Sequence, residues 1–282
     1  PSPTNDDSVE VVYGTDISTT IDNLTPNTTY YVRVFITNNL GEFYGNEMEF
    51  TTTAEASLFN CDGNPVPTII YGTQEWTVEN ACYITYRDGT PIPEVTDPTE
   101  WANLTTGAWT YSFNEFNVTS KLYNWYAIEG IHDNNPNTPN KEFSPEGWHV
   151  PSDDEWTTLQ DFLVDNGHSY NLSCGSLNYE VAVAKAMAST SGWDEVAEIW
   201  DDWDKTPGGN QILNNSSGFN ALPVGAEFGQ ADGYVAIFWT STREAPPWDE
   251  DAYYLEILSD YVCTDRDSVT LSRGYSVRLV KD

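Results

Sequence analysis

Apolar and polar positions alternate sharply between residues 24 and 36. Leu24, Pro26, Thr28, Tyr30, Val32 and Val34 fall on every second position. A period of two marks a half-buried strand. The pattern predicts a strand over Thr29–Ile36, with Tyr30, Val32, Val34 and Ile36 on one side and Tyr31, Arg33 and Phe35 on the other. Asn38-Asn-Leu-Gly41 signals a turn, and Tyr44–Thr52 reads as the next strand. A link at Ala54–Phe59 follows, and the pattern then changes.

Ile69–Asn80 reads as a hairpin around Gly72-Thr73 that points Trp76 and Val78 inward. Pro98–Gly107 reads as irregular chain holding Trp101. A helix is expected to start near Thr119-Ser120, with Leu122, Tyr123, Trp125, Tyr126 and Ile128 on its apolar face. A second follows Ser152. There Ser152 and Glu155 have capping-box spacing, Asp153 and Asp154 suit the first turn, and Trp156, Leu159, Phe162 and Leu163 recur at helical spacing up to Asn166-Gly167. A short third helix is expected over Val181–Ala188, and a long surface loop over Asp201–Asn215. Strands return at Gly225–Phe228, Tyr234–Thr240, Asp251–Leu258 and Gly274–Val280. Trp125, Trp156, Phe219 and Trp239 lie on apolar faces and are expected to be buried together.

The division this predicts is residues 1–54, part of an all-β sandwich, and residues 55–282, an α+β body. The first segment leaves no room for a complete sandwich, and its apolar face needs a cover.

With 39% hydrophobic and 14% aromatic residues, the 282-residue chain has ample material for a core. Eleven Lys and Arg face 44 Asp and Glu, a formal net charge of −33. Phosphate recognition needs clustered Lys and Arg, so nucleic acid is excluded as a partner. No run is long and apolar enough to enter a membrane. The four cysteines have no Cys-x-x-Cys pair and only three histidines accompany them, which argues against zinc and for two disulfides in an oxidising, extracellular setting. Of the three possible pairings, Cys61–Cys82 with Cys174–Cys263 is favoured.

Several segments together resemble a known family. They are Tyr71–Asn80, Asp88–Pro93, Lys121–Ala127, Gly147–Trp156, Ser217–Pro223, Phe238–Thr242 and Gly274–Asp282. Their order resembles the Fibrobacter succinogenes major paralogous domain, a domain of secreted bacterial proteins. The resemblance implies a C-type-lectin-like fold related to the formylglycine-generating enzymes, with two to three helices and short antiparallel strands. It implies no particular activity. Leu24–Thr53 resembles the later half of a fibronectin type III domain, with Tyr30 as its corner tyrosine.

Enzymatic chemistry finds little support. Formylglycine generation needs two neighbouring reactive cysteines near the C-terminal end, and only Cys263 is there, among Asp260, Asp265 and Asp267. His149, between Trp148 and Val150, reads as structural rather than catalytic. Asp201, Asp202 and Asp204, and Asp249, Glu250 and Asp251, offer clustered oxygens that would suit Ca2+, without EF-hand spacing. They read more readily as solvated acidic loops, with structural calcium as the alternative. Otherwise no cofactor is expected.

The best candidate contact surface runs from Arg243 to Arg273, where aromatic and charged residues lie between two family-matching strands. Trp248, Tyr254 and Tyr261 are the expected contacts, flanked by Arg243 and Arg266. Tyr253, Leu255 and Ile257 read as that strand's buried face. The expected function is a non-enzymatic adhesin-like module for a carbohydrate or protein ligand. The alternative is a subunit of an extracellular filament or phage fibre, self-associating through the N-terminal half sandwich.

Overall fold

The structure is a computed structural model. It describes residues 3–4, 7–9, 11, 21, 24, 28–51, 58, 60–61, 63–113, 119–170, 172, 174, 181–198, 202–245 and 250–282. The chain divides into two compact units, Pro1–Ser57 and Leu58–Asp282.

The first unit holds four short strands, β1 (Thr29–Val32), β2 (Phe35–Asn38), β3 (Gly41–Tyr44) and β4 (Met48–Thr51). The expected continuous strand to Ile36 is broken at Arg33-Val34. β1 pairs with β4, and β2 pairs with β3. At the break Val34 O accepts the amide of Gly45, and the Arg33 guanidinium lies 4.1 Å from the Tyr44 ring centre. The break also ends the alternation, leaving Val34 68% exposed. Tyr30 and Phe50 stack across the first ladder at 5.9 Å. None of the described residues in this unit is buried.

The second unit is mixed α+β, with short strands and four α-helices among the described residues. It opens with the hairpin of β5 (Thr68–Tyr71) and β6 (Gln74–Thr77), which buries Trp76 completely. Val78 is half-buried. The stretch expected to be irregular forms α1 (Pro98–Trp101), because Asp97 caps the amides of Thr99 and Glu100 and Pro98 suits the first helical position.

The expected helix at Thr119 is instead strand β8 (Thr119–Tyr123), paired with β7 (Trp109–Phe113). Helix α2 (Trp125–Glu129) begins only after Asn124, whose extended backbone and side chain cap it. A short apolar run does not distinguish the two conformations. Gly130 ends α2 at φ 78°, and a Cβ there would lie 1.8 Å from Lys141 O, so only glycine fits.

Strand β9 (Trp148–His149) leads into α3 (Asp153–Asp165), which has the expected capping box. Helix α4 shrinks to one turn, Ala184–Met187. A 3-10 turn at Glu227–Gly229 replaces the strand expected at Gly225–Phe228, with Phe228 at φ 61°. Then come β10 (Val235–Arg243), β11 (Asp251–Leu258), β12 (Thr264–Thr270) and β13 (Val280–Lys281). Of the closing strand expected from Gly274, only its end is regular. Tyr275 and Ser276 make single bridges to Tyr123 and Phe238.

Strands β10, β11 and β12 form an antiparallel sheet, and the four-stranded sheet runs β5-β6-β13-β9. Alternation along β10 sends Ile237 and Trp239 into one apolar cluster and Ala236 and Phe238 into another. The four aromatic residues expected in one core are all buried, but in two. Trp125 and Trp239 share the first, while Trp156 and Phe219 pack with Phe238 in the second. Arg278 is fully buried and, among the described residues, forms no ion pair with a carboxylate. It donates to Asn80 Oδ1 and to the carbonyls of Thr77, Phe219 and Asn220 at 2.8–3.2 Å. Both favoured disulfides are present, Cys61–Cys82 and Cys174–Cys263.

Candidate ligand-binding surface

The side chains of β11 alternate. Leu255 and Ile257 are fully buried, and Tyr253 on that side is half-buried. Tyr254, Glu256 and Leu258 take the other side, and each is half-buried. The Tyr254 ring lies 5.3 Å from Tyr275, which lies 4.6 Å from the buried Trp239. An aromatic stack thus runs from the core out to Tyr254.

Register then sets the chemistry. Strand β12 places Asp267 opposite Tyr254 and Asp265 opposite Glu256. Directly opposed like charges destabilise a sheet. Burial, and then the Asp265 and Asp267 carboxylates, push the Glu256 carboxyl up to about 7. The Tyr254 hydroxyl is raised too, first by burial and then by Glu256. At the rim, Arg273 pairs with Glu227 at 3.2 Å. The face therefore offers an aromatic wall, a tyrosine hydroxyl and carboxyl groups in one row.

Arg243 ends β10 after a register shift that follows Trp239, and a bulge of this kind re-aims a side chain. It lies 5.4 Å from the Trp125 ring centre and 3.4 Å from Glu129. Tyr261 is half-buried in the β11–β12 connection. Arg266 does not join the candidate surface. Its side chain leaves the opposite face of β12, is 8% exposed, and donates to Asp153 Oδ1 at 3.0 Å, to Thr157 Oγ1 at 2.8 Å and to Gln160 Oε1. Strand alternation turns it onto α3, where it packs helix against sheet. Trp248 lies outside the described residues.

Of the acidic residues expected to suit calcium, Asp201 and Asp249 also lie outside the described residues. Glu250 is exposed, and Asp251 is half-buried at the start of β11. Asp202 pairs with Lys205. Among the described residues no three His, Cys, Asp or Glu side chains form a metal-ligating group. The loop expected to be solvated is anchored by an internal cation. Lys185, 1% exposed, donates from Nζ to Thr206 O at 2.9 Å, to Asn214 Oδ1 at 2.8 Å and to Gly209 O. Burial pushes its ammonium down to about 8. A surface cavity of about 320 Å3 at residues 87–88 and 139–142 offers less, because its Lys141 is taken by Asp88 at 2.6 Å.

The sequence singles out Tyr254 as a candidate contact; the structure sets Glu256, Tyr275, Asp265 and Asp267 beside it. The alternation of β11 placed 254 and 256 on one side. Nothing local gave the register that aligns them with β12.

The second unit is thus a disulfide-bonded, mixed α+β domain with an aromatic and acidic sheet face. Residues 69–281 match the Fibrobacter succinogenes major domain, and the chain belongs to that family. No curated protein and no solved structure shows significant similarity to the chain. No helix among the described residues is long and apolar enough to cross a membrane.

Proposed function

We propose that the second unit is a secreted or cell-surface binding module of C-type-lectin-like fold, without enzymatic activity. Its carbohydrate or protein ligand would rest on the part-exposed row of Tyr254 and Glu256 on β11 and Asp265 and Asp267 on β12. Tyr254 is the central contact, and Arg243 and Tyr261 extend the surface at its two ends.

The observation that carries this reading is the alignment of Tyr254 and Glu256 with Asp267 and Asp265. The arrangement costs stability, and local rules are broken chiefly at functional sites. Hydroxyl-rich or cationic ligands fit it, through stacking on tyrosine and hydrogen bonds to carboxylates.

Two further features support the reading. All eleven Lys and Arg side chains already have partners within their own unit, which leaves little to attract an anion. All four cysteines are bonded, so no thiol is available for oxidase chemistry. The same disulfides fit an oxidising exterior.

The test is a glycan array and a protein-binding panel, each run with calcium and with chelator. Binding that Tyr254→Ala and Glu256→Gln both abolish supports the reading. Binding untouched by either variant removes this surface from it. Loss with chelator would add calcium as a cofactor.

The filament reading rests on the first unit. Its lack of a buried residue among those described, and its likeness to half a fibronectin type III domain, favour completion by another chain.

A further inference from the structure

His149 ends β9, immediately before α3, and pairs with Val280 of β13. Its Nδ1 lies 2.6 Å from Asp282 Oδ1, and its Nε2 lies 2.8 Å from Glu155 Oε1. Ionised carboxylates only accept hydrogen bonds, and a neutral imidazole has one donor and one acceptor. Such a ring satisfies one of these contacts and sets a lone pair against the other. Both contacts hold together only when each ring nitrogen carries a proton.

We propose that protonated His149 is a latch, closing the C-terminal strand β13 onto β9 and onto the start of α3. Loss of the proton opens the second unit at that edge.

The charged groups around the ring are few. From α3, Glu155 faces it, and its other oxygen accepts from Ser152 N and Ser152 Oγ, each at 2.8 Å. Asp153 is taken by Arg266, and Asp154 is exposed. From β13, Asp282 faces the ring, while the Lys281 ammonium reaches Glu75 of β6 at 3.0 Å. The Trp148 ring of β9 also lies against Lys281. Among the described residues, two carboxylates and no competing cation thus meet the imidazole.

Burial opposes the charged ring, but the bonds to Asp282 and Glu155 outweigh it and raise His149 above its ordinary value. A group raised on folding contributes stability fully below its unfolded value, ~6.5 for histidine. That contribution is lost as pH rises through the folded value. The structural consequence falls on β13. Val280 bridges β6 and β9, and the Asp282 amide donates to Gly147 O at 3.0 Å. Without the latch these pairings are left with the Lys281 contacts to Glu75 and Trp148 to hold the strand end.

The test combines ring-nitrogen NMR with amide exchange on the full chain, from about pH 5 to about pH 9. The latch requires protons on both ring nitrogens at about pH 6. Protection at Asp282, corrected for intrinsic exchange, should then fall on the order of tenfold as the ring titrates, while β10–β12 stay protected. His149→Gln should show low, pH-independent protection at Asp282. Asp282→Asn keeps the capping box and should move the ring titration to lower pH, so it serves if His149→Gln does not fold. A ring already neutral at about pH 6, or Asp282 protection unchanged across the ring titration, overturns the proposal.

Discussion

Glu256 of β11 stands directly opposite Asp265 of β12, with Asp267 one pair further along the same face. Burial and these two neighbours raise the Glu256 carboxyl to about 7, above the ~4.3 of an unfolded glutamate. Its contribution to stability is therefore complete below ~4.3 and is lost as pH rises to about 7. Glu256→Gln should flatten stability across that window. It should also stabilise the protein at pH 8 by ~1–2 kcal/mol, a figure reduced for the partial exposure of the group. Urea unfolding of both proteins over the window measures this. A wild-type stability that rises from pH 5 to pH 8 relative to Glu256→Gln contradicts the assignment.

Tyr254 and Arg266 lie on the same sheet but on opposite faces, so their variants should separate binding from folding. Tyr254→Ala should weaken ligand binding by tenfold or more, a loss of ~1.4 kcal/mol or above. Arg266→Met should leave affinity unchanged and lower stability by ~2–4 kcal/mol, because Asp153 and Gln160 lose their partner. Titration calorimetry and thermal unfolding give the two readouts. Equal affinity loss in both variants would mean that binding reports only on folding.

Local chemistry is legible at several points, though the Asp97-Pro98 start of α1 is not among them. Ser152 and Glu155 close the capping box that their spacing predicts, and Gly72 turns the first hairpin of the second unit. Where distant partners decide, the sequence is not legible. Leu122 and Tyr123 lie in a strand because β7 pairs with them, whereas their spacing equally suited a helix. Phe238 and Trp239 are neighbours in sequence, yet strand alternation sends them to separate cores. The candidate surface divides in the same way. Tyr254 was visible as an aromatic residue in an interrupting segment. Its acidic row depends on the β11–β12 register, and a slip of one residue would turn Asp265 to the other face. The same register turns Arg266 onto α3, away from that row.

Lys185 and Asn214 should stand or fall together. The ammonium holds Thr206, Gly209 and Asn214 from one buried point, and the Asn214 amide donates on to Ser189 O and Pro207 O. Lys185→Met keeps the length of the side chain but leaves these buried acceptors unpaired. The expected cost is ~3–5 kcal/mol, with exchange protection lost across residues 202–214 before the rest of the unit. Hydrogen-exchange mass spectrometry resolves that order. Protection retained in this loop would show that Lys185 does not anchor it.

The first unit poses the remaining question, because its two ladders are each only two strands wide among the described residues. Two-stranded sheets are marginal in water. Val34, Ile36, Leu40 and Met48 are each more than 60% exposed, so the unit also presents apolar side chains to solvent. A narrow sheet can be widened by a further strand through backbone hydrogen bonds. If a second copy supplies it, the full chain should gain mass with concentration. The net charge of −33 opposes that association at low ionic strength. Salt should therefore promote it, since the Debye length falls from ~30 Å at 10 mM to ~10 Å at 0.1 M. Light scattering after size exclusion, over a wide protein range at both salts, measures the mass. Val34→Glu with Ile36→Glu adds like charge at two exposed apolar positions and should hold the protein monomeric throughout. A wild-type chain that is monodisperse and monomeric at every concentration and salt eliminates strand exchange between copies, and leaves the binding reading of the second unit without its filament rival.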